Sequence, residues 1–155
     1  MALDATDRRI IRALQRDGRM TNQALSEAVG LSPSPCLRRV RNLEADGVIT
    51  GYSAAVDRRA YGLPITAFIR VRLKSHERDL VESFEAGLQK LDEVLEAHLI
   101  TGSEDYLMQA VVESHEAYEH FMRNKLHRVP GIAGVETSFA YGLVKRTGVL
   151  PIVKG

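Results

Sequence analysis

Residues 32–47 read SPSPCLRRVRNLEADG, and the helical angle at which each of them falls decides the fold. Ser32 has N-cap chemistry and Pro33 stands in the first turn, where a missing amide costs nothing. Leu37, Val40 and Leu43 then recur at helical spacing up to a stop at Gly47. At roughly 100° per residue these three define a buried direction, and Cys36 falls among them, which makes it a core residue. Ser34, Arg38, Arg41 and Asn42 point roughly the other way, with Arg39 on the flank. One short rod therefore has a greasy side and a side rich in guanidinium groups.

An arginine-rich helix face is often only a solvated surface, so its neighbours must be read with it. Upstream, Leu3, Ile10, Ile11 and Leu14 predict a first helix over Leu3–Gln15, with Asp4 and Asp7 early and Arg16 late, the charge order that suits the helix dipole. Thr21-Asn22 caps a short second helix carrying Leu25, Ala28 and Val29, stopped by Gly30. Two short helices joined by a tight Gly-Leu-Ser turn, the second exposing arginine, are the geometry of a helix laid in the major groove of double-stranded DNA. Arginine can fork onto guanine O6 and N7 or onto a phosphate, and the free amides at the helix start, beside Ser34, can hold a phosphate oxygen. The candidate DNA contacts are Ser32, Ser34, Pro35, Arg38, Arg39, Arg41 and Asn42. After Gly47, VITGYSAAVD reads as a short strand and turn, a wing, and RRAYGLP as a linker interrupted by Gly62 and Pro64.

The second half has a different period. Ile65, Ala67, Ile69, Val71 and Leu73 alternate with Thr66, Phe68, Arg70 and Arg72, a strand with one face on helices. Leu80, Val81, Phe84, Leu88 and Leu91 form a helical stripe. Val94–Thr101 and Tyr106–Glu113 form a hairpin through Gly102-Ser103-Glu104-Asp105. Tyr118, Phe121, Met122 and Leu126 make a second stripe ended by Pro130-Gly131, and Val135–Val144 is a last strand. The class is α+β: a winged helix-turn-helix (1–50), a linker (51–63) and a ferredoxin-like βαββαβ domain (64–155). The free face of that sheet would show Phe68 and one apolar set of the middle strands, such as Tyr106, Met108, Ala110 and Val112, and such a patch seeks a partner.

Composition narrows the function classes. The 155 residues are 45% hydrophobic, enough for a core without staples, and the single Cys36 makes no internal disulfide. Residues 1–60 hold ten Arg, no Lys and seven acids, a balance of +3, whereas residues 61–155 balance at −2, so the positive potential sits with the arginine helix. No apolar run spans a membrane, and MALDATDRRI lacks a signal-peptide core, which predicts a cytoplasmic protein. His115, His120 and His127 lack metal-ligand spacing, no GxSxG, GxxxxGK or GxGxxG occurs, and the acid pairs are next neighbours. Neither a metal, a cofactor nor a catalytic set is expected; the reading is a non-enzyme.

The segments LDATDRRIIRALQRDGR, LSPSPCLRRVRNLEADGVITGYSA, TGSEDYLMQAVV and VPGIAGVETSFAYGLVK stand in the order and spacing of a known family. Over almost its whole length the chain resembles the leucine-responsive, feast/famine (Lrp/AsnC) transcriptional regulators. The resemblance implies a DNA-binding regulator of amino-acid metabolism or transport, acting on a near-palindromic operator. It also implies a homodimer formed through the C-terminal sheets, assembling further to an octamer, and a small amino-acid effector held near the Gly-x-x-Asp-aromatic loop. On this chain those effector residues are Thr101, Gly102, Ser103, Asp105 and Tyr106, with Thr137, Ser138 and Phe139 from the last strand. By itself a Gly-x-x-Asp turn is ordinary hairpin chemistry. In an effector site, glycine amides would suit a carboxylate and Asp105 an ammonium group. The sirohaem decarboxylases resemble the same regulators in both halves, which leaves a tetrapyrrole enzyme as the alternative, with the intact arginine-rich helix arguing against it.

Overall fold

Asp4 starts the first helix, α1 (Ala5–Arg16), through a reciprocal cap: its carboxylate accepts from the Asp7 amide at 2.7 Å, and the Asp7 carboxylate accepts from the Asp4 amide at 3.2 Å. The computed structural model describes residues 3–153. They form two compact units, one running to Ala55 and taking in the chain from Val144 onward, the other Val56–Leu143.

In the first unit, α2 (Asn22–Val29) is capped by the Thr21 hydroxyl, which accepts from the Ala24 amide, and ends at Gly30 with φ +71°. That left-handed turn, open to glycine without strain, redirects the chain into α3 (Pro33–Ala45). Ser32 stands at the N-cap position of α3, but its hydroxyl makes no capping bond. Ile10, Leu25, Val29, Cys36 and Leu43 form the core. Two sequence expectations are corrected here. Leu37 is 38% exposed, because the buried direction of α3 is set by Cys36, Val40 and Leu43 and leaves Leu37 on the flank. Ala28 is exposed and Ser26 buried instead, its hydroxyl donating to the Gln23 carbonyl at 2.8 Å.

The wing expected after Gly47 carries no strand ladder among the described residues. The Val48 and Ile49 amides turn back onto the Leu43 carbonyl, and residues 51–57 are exposed without a strand to pair with. The returning chain is fixed to α1 instead: Gln15 donates to the Gly148 carbonyl at 2.8 Å and accepts from the Leu150 amide at 3.1 Å, and Arg12 donates to the Leu150 carbonyl at 3.3 Å.

The second unit is β1 (Ile65–Leu73), α4 (Arg78–Leu88), β2 (Val94–Leu99), β3 (Tyr106–Val112), α5 (His115–Asn124), a 3-10 turn (Leu126–Arg128) and β4 (Ile132–Phe139). The strands form one antiparallel sheet in the order β2-β3-β1-β4. Period 2 is obeyed in β1, where Ala67, Ile69, Val71 and Leu73 are buried. They pack with Phe84 and Leu88 of α4, Phe121 of α5, and Leu126. Tyr106, Met108 and Ala110 belong to this same core and Val112 is buried as well, so the expectation that this set faces outward is corrected. The register Ala67↔Ala110 and Ile69↔Met108 puts them on the helix-covered side, and the other face shows Phe68, Arg70, Leu107 and Gln109. The last strand starts and ends earlier than Val135–Val144. Its last register pair is Ala67 with Phe139, the Ala140 amide still bonds the Thr66 carbonyl, and from there the chain carries no strand ladder.

Candidate functional site

On α3 the exposed side is formed by Ser34, Arg38, Arg41 and Asn42, opposite buried Cys36 and Leu43; Ser32 is exposed and Pro35 half-buried at its start. Neither Arg38 nor Arg41 enters an ion pair among the described residues. Arg39 differs. Its Nη1 lies 2.7 Å from Asp4 Oδ2 and 2.7 Å from Asp7 Oδ1, which joins α3 to the capping box of α1. The Asp7 amide, and then the Arg39 guanidinium, hold the Asp4 carboxyl below its ordinary range. Asn22 Nδ2 donates to the Pro33 carbonyl at 2.9 Å and fixes α2 to the start of α3. Periodicity finds the exposed arginines. It misses the Asp4-Asp7 partnership, although an Asp-x-x-Asp cap ahead of an apolar helix was there to be read.

The hairpin loop between β2 and β3 is closed by the Ile100 amide on the Asp105 carbonyl at 2.8 Å. Gly102 has φ +126°, a conformation open to glycine, and Thr101, Gly102 and Ser103 are exposed. The amides of Gly102 and Ser103 have no hydrogen-bond partner among the described residues. Asp105 is held hard. Its amide donates to the Val71 carbonyl at 2.9 Å, Oδ2 accepts from the Leu73 amide at 2.7 Å, and Oδ1 lies 2.7 Å from His76 Nε2. The Leu73 amide first, then His76, pull its carboxyl below the usual range. Tyr106 faces inward, its ring 4.8 Å from that of Phe84 and its hydroxyl donating to Glu85 at 2.7 Å; burial, then the Glu85 hydrogen bond, push its pKa up to about 12.

Thr137, Ser138 and Phe139 are not brought together with this loop inside one chain. Ile69 pairs with Thr137 and Ala67 with Phe139, so Phe139 is level with a point four residues of strand, about 13 Å, from Val71 beside Asp105. Alternation also splits them. Thr137 and Phe139 face α5, where Thr137 Oγ1 meets the Tyr118 hydroxyl at 2.5 Å and the Phe139 ring lies edge-on to Tyr118 and His115. Ser138 is on the outer face, 3.5 Å from Arg70. A groove of about 570 Å³ opens at the opposite end of the sheet, between Leu63, Glu93, Glu113, Ser114, His120 and Lys125, and no expected effector residue lines it.

Two family models match this arrangement: a winged helix-turn-helix DNA-binding model over residues 3–50, which contains α3, and an Lrp/AsnC ligand binding domain model over residues 66–150, which contains the Asp105 loop and β4. The chain belongs to the Lrp/AsnC family. It is a transcriptional regulator of that type. The leucine-responsive regulatory protein of Salmonella typhimurium is 40% identical over 97% of this chain and 92% of its own. The transcriptional regulator AzlB of Bacillus subtilis is 38% identical over 97% and 96%. The crystal structure of a Neisseria meningitidis transcriptional regulator in complex with L-Met superposes with a TM-score of 0.92 at 41% identity, covering 97% of each chain. Escherichia coli AsnC superposes with a TM-score of 0.86 at 31% identity, over 95% of this chain and 98% of its own. Among the described residues no helix is long and apolar enough to cross a membrane.

Proposed function

We propose that this Lrp/AsnC regulator reads a near-palindromic operator through Ser34, Arg38, Arg41 and Asn42, and that its assembly and DNA affinity answer to an amino acid, in control of amino-acid metabolism or transport. The observation that carries the reading is the exposure of Arg38 and Arg41, outside any ion pair among the described residues, on the side of α3 away from its core. Ser32 and Pro35 flank the helix start, where amides favour a phosphate. Arg39 acts as the anchor that sets the angle of α3. The domains are residues 1–50 for DNA, 51–63 as linker and 64–155 for effector and assembly.

Thr101, Gly102, Ser103, Asp105 and Tyr106 form the effector loop. The unpartnered amides of Gly102 and Ser103 suit the effector carboxylate, and Asp105 the ammonium. Thr137, Ser138 and Phe139 would join such a site from another copy, since one chain holds them apart. That favours a homodimer or a larger ring such as an octamer, and the outer sheet face carrying Phe68 and Leu107 is its natural contact. The L-Met bound by the Neisseria meningitidis relative supports an amino-acid effector. The relatives named above are regulators, which favours this reading over a tetrapyrrole decarboxylase and over enzymatic activity generally. A reader of chromosomal operators works in the cytoplasm.

The test is a titration with double-stranded DNA from the protein's own promoter region. If each subunit of a dimer neutralises three or four phosphates, log K falls against log salt with a slope of roughly −5 to −7. A flat response overturns the DNA reading. A thermal-shift panel of the twenty amino acids tests the effector arm, and no shift with any of them overturns it.

A further inference from the structure

We propose that His76 gates the effector site: it occupies Oδ1 of Asp105, the oxygen an incoming ammonium group needs, so effector and imidazole compete for one carboxylate. The inference rests on the reading that Asp105 receives the ammonium of an amino acid. Oδ2 is not available for that role, because it is fixed by the Leu73 amide at 2.7 Å inside the strand connection. Oδ1 carries only the His76 contact, also 2.7 Å, and the His76 side chain is 75% exposed, so it can swing into water without unpacking anything. Asp105 itself is 19% exposed, its backbone bonded to Val71 and Ile100 and its side chain to the Leu73 amide, which hold it in place. The carboxylate is thus fixed and pre-aimed, and its one removable partner is the exposed His76 imidazole.

Effector ammonium and His76 imidazole therefore exclude one another at Oδ1, and removing the imidazole frees that oxygen while the Leu73 amide keeps the carboxylate in place.

The experiment is calorimetry on the full chain with each of the twenty amino acids, carried forward with the tightest binder in one buffer. His76→Ala should bind it about fivefold tighter than wild type, the scale of one charge-assisted hydrogen bond. His76→Gln keeps a donor that can reach Oδ1 and should bind more weakly than His76→Ala. Asp105→Asn, which retains an acceptor for Leu73, should lose binding. If wild type binds and His76→Ala reproduces its affinity, the gate is wrong and the ammonium reading stands. If wild type binds none of the amino acids, or Asp105→Asn binds as well as wild type, the ammonium reading falls and the gate falls with it.

Discussion

Arg39 Nη1 lies 2.7 Å from Asp7 Oδ1, and Asp7 is the residue that closes the capping box of α1, so the start of one helix and the middle of another are held by one ion-paired cluster. The Asp7 side chain is only 9% exposed there, whereas Arg38, the next residue along α3, is exposed and outside any ion pair among the described residues. Adjacent arginines on one helix thus have different surroundings: a turn of about 100° takes one to a neighbouring helix and leaves the other facing solvent.

The division is testable by measuring fold and function on the same variants. Arg39→Ala should lower the unfolding temperature of the N-terminal unit, because it leaves Asp7 largely buried without its cation. Arg38→Ala should leave that temperature unchanged and weaken operator binding by about 1–3 kcal/mol, with relaxed preference at one base position if it forks onto a base. Loss of equal size on all sequences would make Arg38 a phosphate contact. Equal thermal loss in both variants would remove the distinction.

Asp105 should govern part of the acid limb of stability. Its folded pKa is depressed by the Leu73 amide and by His76, so its stabilising contribution is present above the unfolded carboxyl value near 3.8 and is lost as pH falls through the lower folded value. Asp105→Asn should unfold less steeply below pH 4 than wild type and be less stable at neutral pH. Denaturant midpoints across the acid range check this. Parallel acid limbs would mean that the Asp105 carboxylate is no better stabilised in the folded state than in the unfolded one.

The parts of this architecture that repeat were legible in the residues. Ala67, Ile69, Val71 and Leu73 announce β1 by alternation, and Thr21 and Gly30 bracket α2 by cap chemistry. What was hidden depends on pairing between distant segments. Whether Met108 faces a helix or a partner is fixed by its register with Ile69, which no local pattern states. The end of β4 at Phe139 follows from where its pairing with β1 stops, at Ala67, although Tyr141, Leu143 and Val144 have strand-like composition. At the candidate site, Gly102 and Asp105 could be read from their loop motif. His76 could not, because it is 29 residues from Asp105 in sequence and carries no spacing signal.

Gly131 joins the 3-10 turn to β4 with φ +92°, and a Cβ there would lie 2.9 Å from Cγ of Leu80 on α4. Its carbonyl also accepts from the Lys74 amide at 2.8 Å, so the backbone cannot relax without releasing the end of β1. Gly131→Ala should therefore cost about 1–3 kcal/mol, combining backbone strain with a packing clash. Adding Leu80→Ala to it should relieve the clash but not the strain. Chemical denaturation of both variants and of Leu80→Ala alone separates the two, and strict additivity would show that the close approach to Leu80 contributes nothing.

Tyr106 should set the alkaline limit of the C-terminal unit. Its hydroxyl is buried against Phe84 and bonded to Glu85, and both burial and the neighbouring carboxylate resist formation of the phenolate, so its pKa rises to about 12. A raised folded value contributes stability in full below the unfolded tyrosine value near 10, and that stability is lost as pH climbs from there through about 12. Tyr106→Phe keeps the ring in the core and removes the proton. It should lose about 1 kcal/mol at neutral pH for the missing hydrogen bond, yet fall off less steeply between pH 10 and 12. Absorbance titration should show one tyrosinate fewer in the late phase. If the variant and wild type lose stability at the same rate in that range, the hydroxyl of Tyr106 is not the group whose ionisation opens the domain.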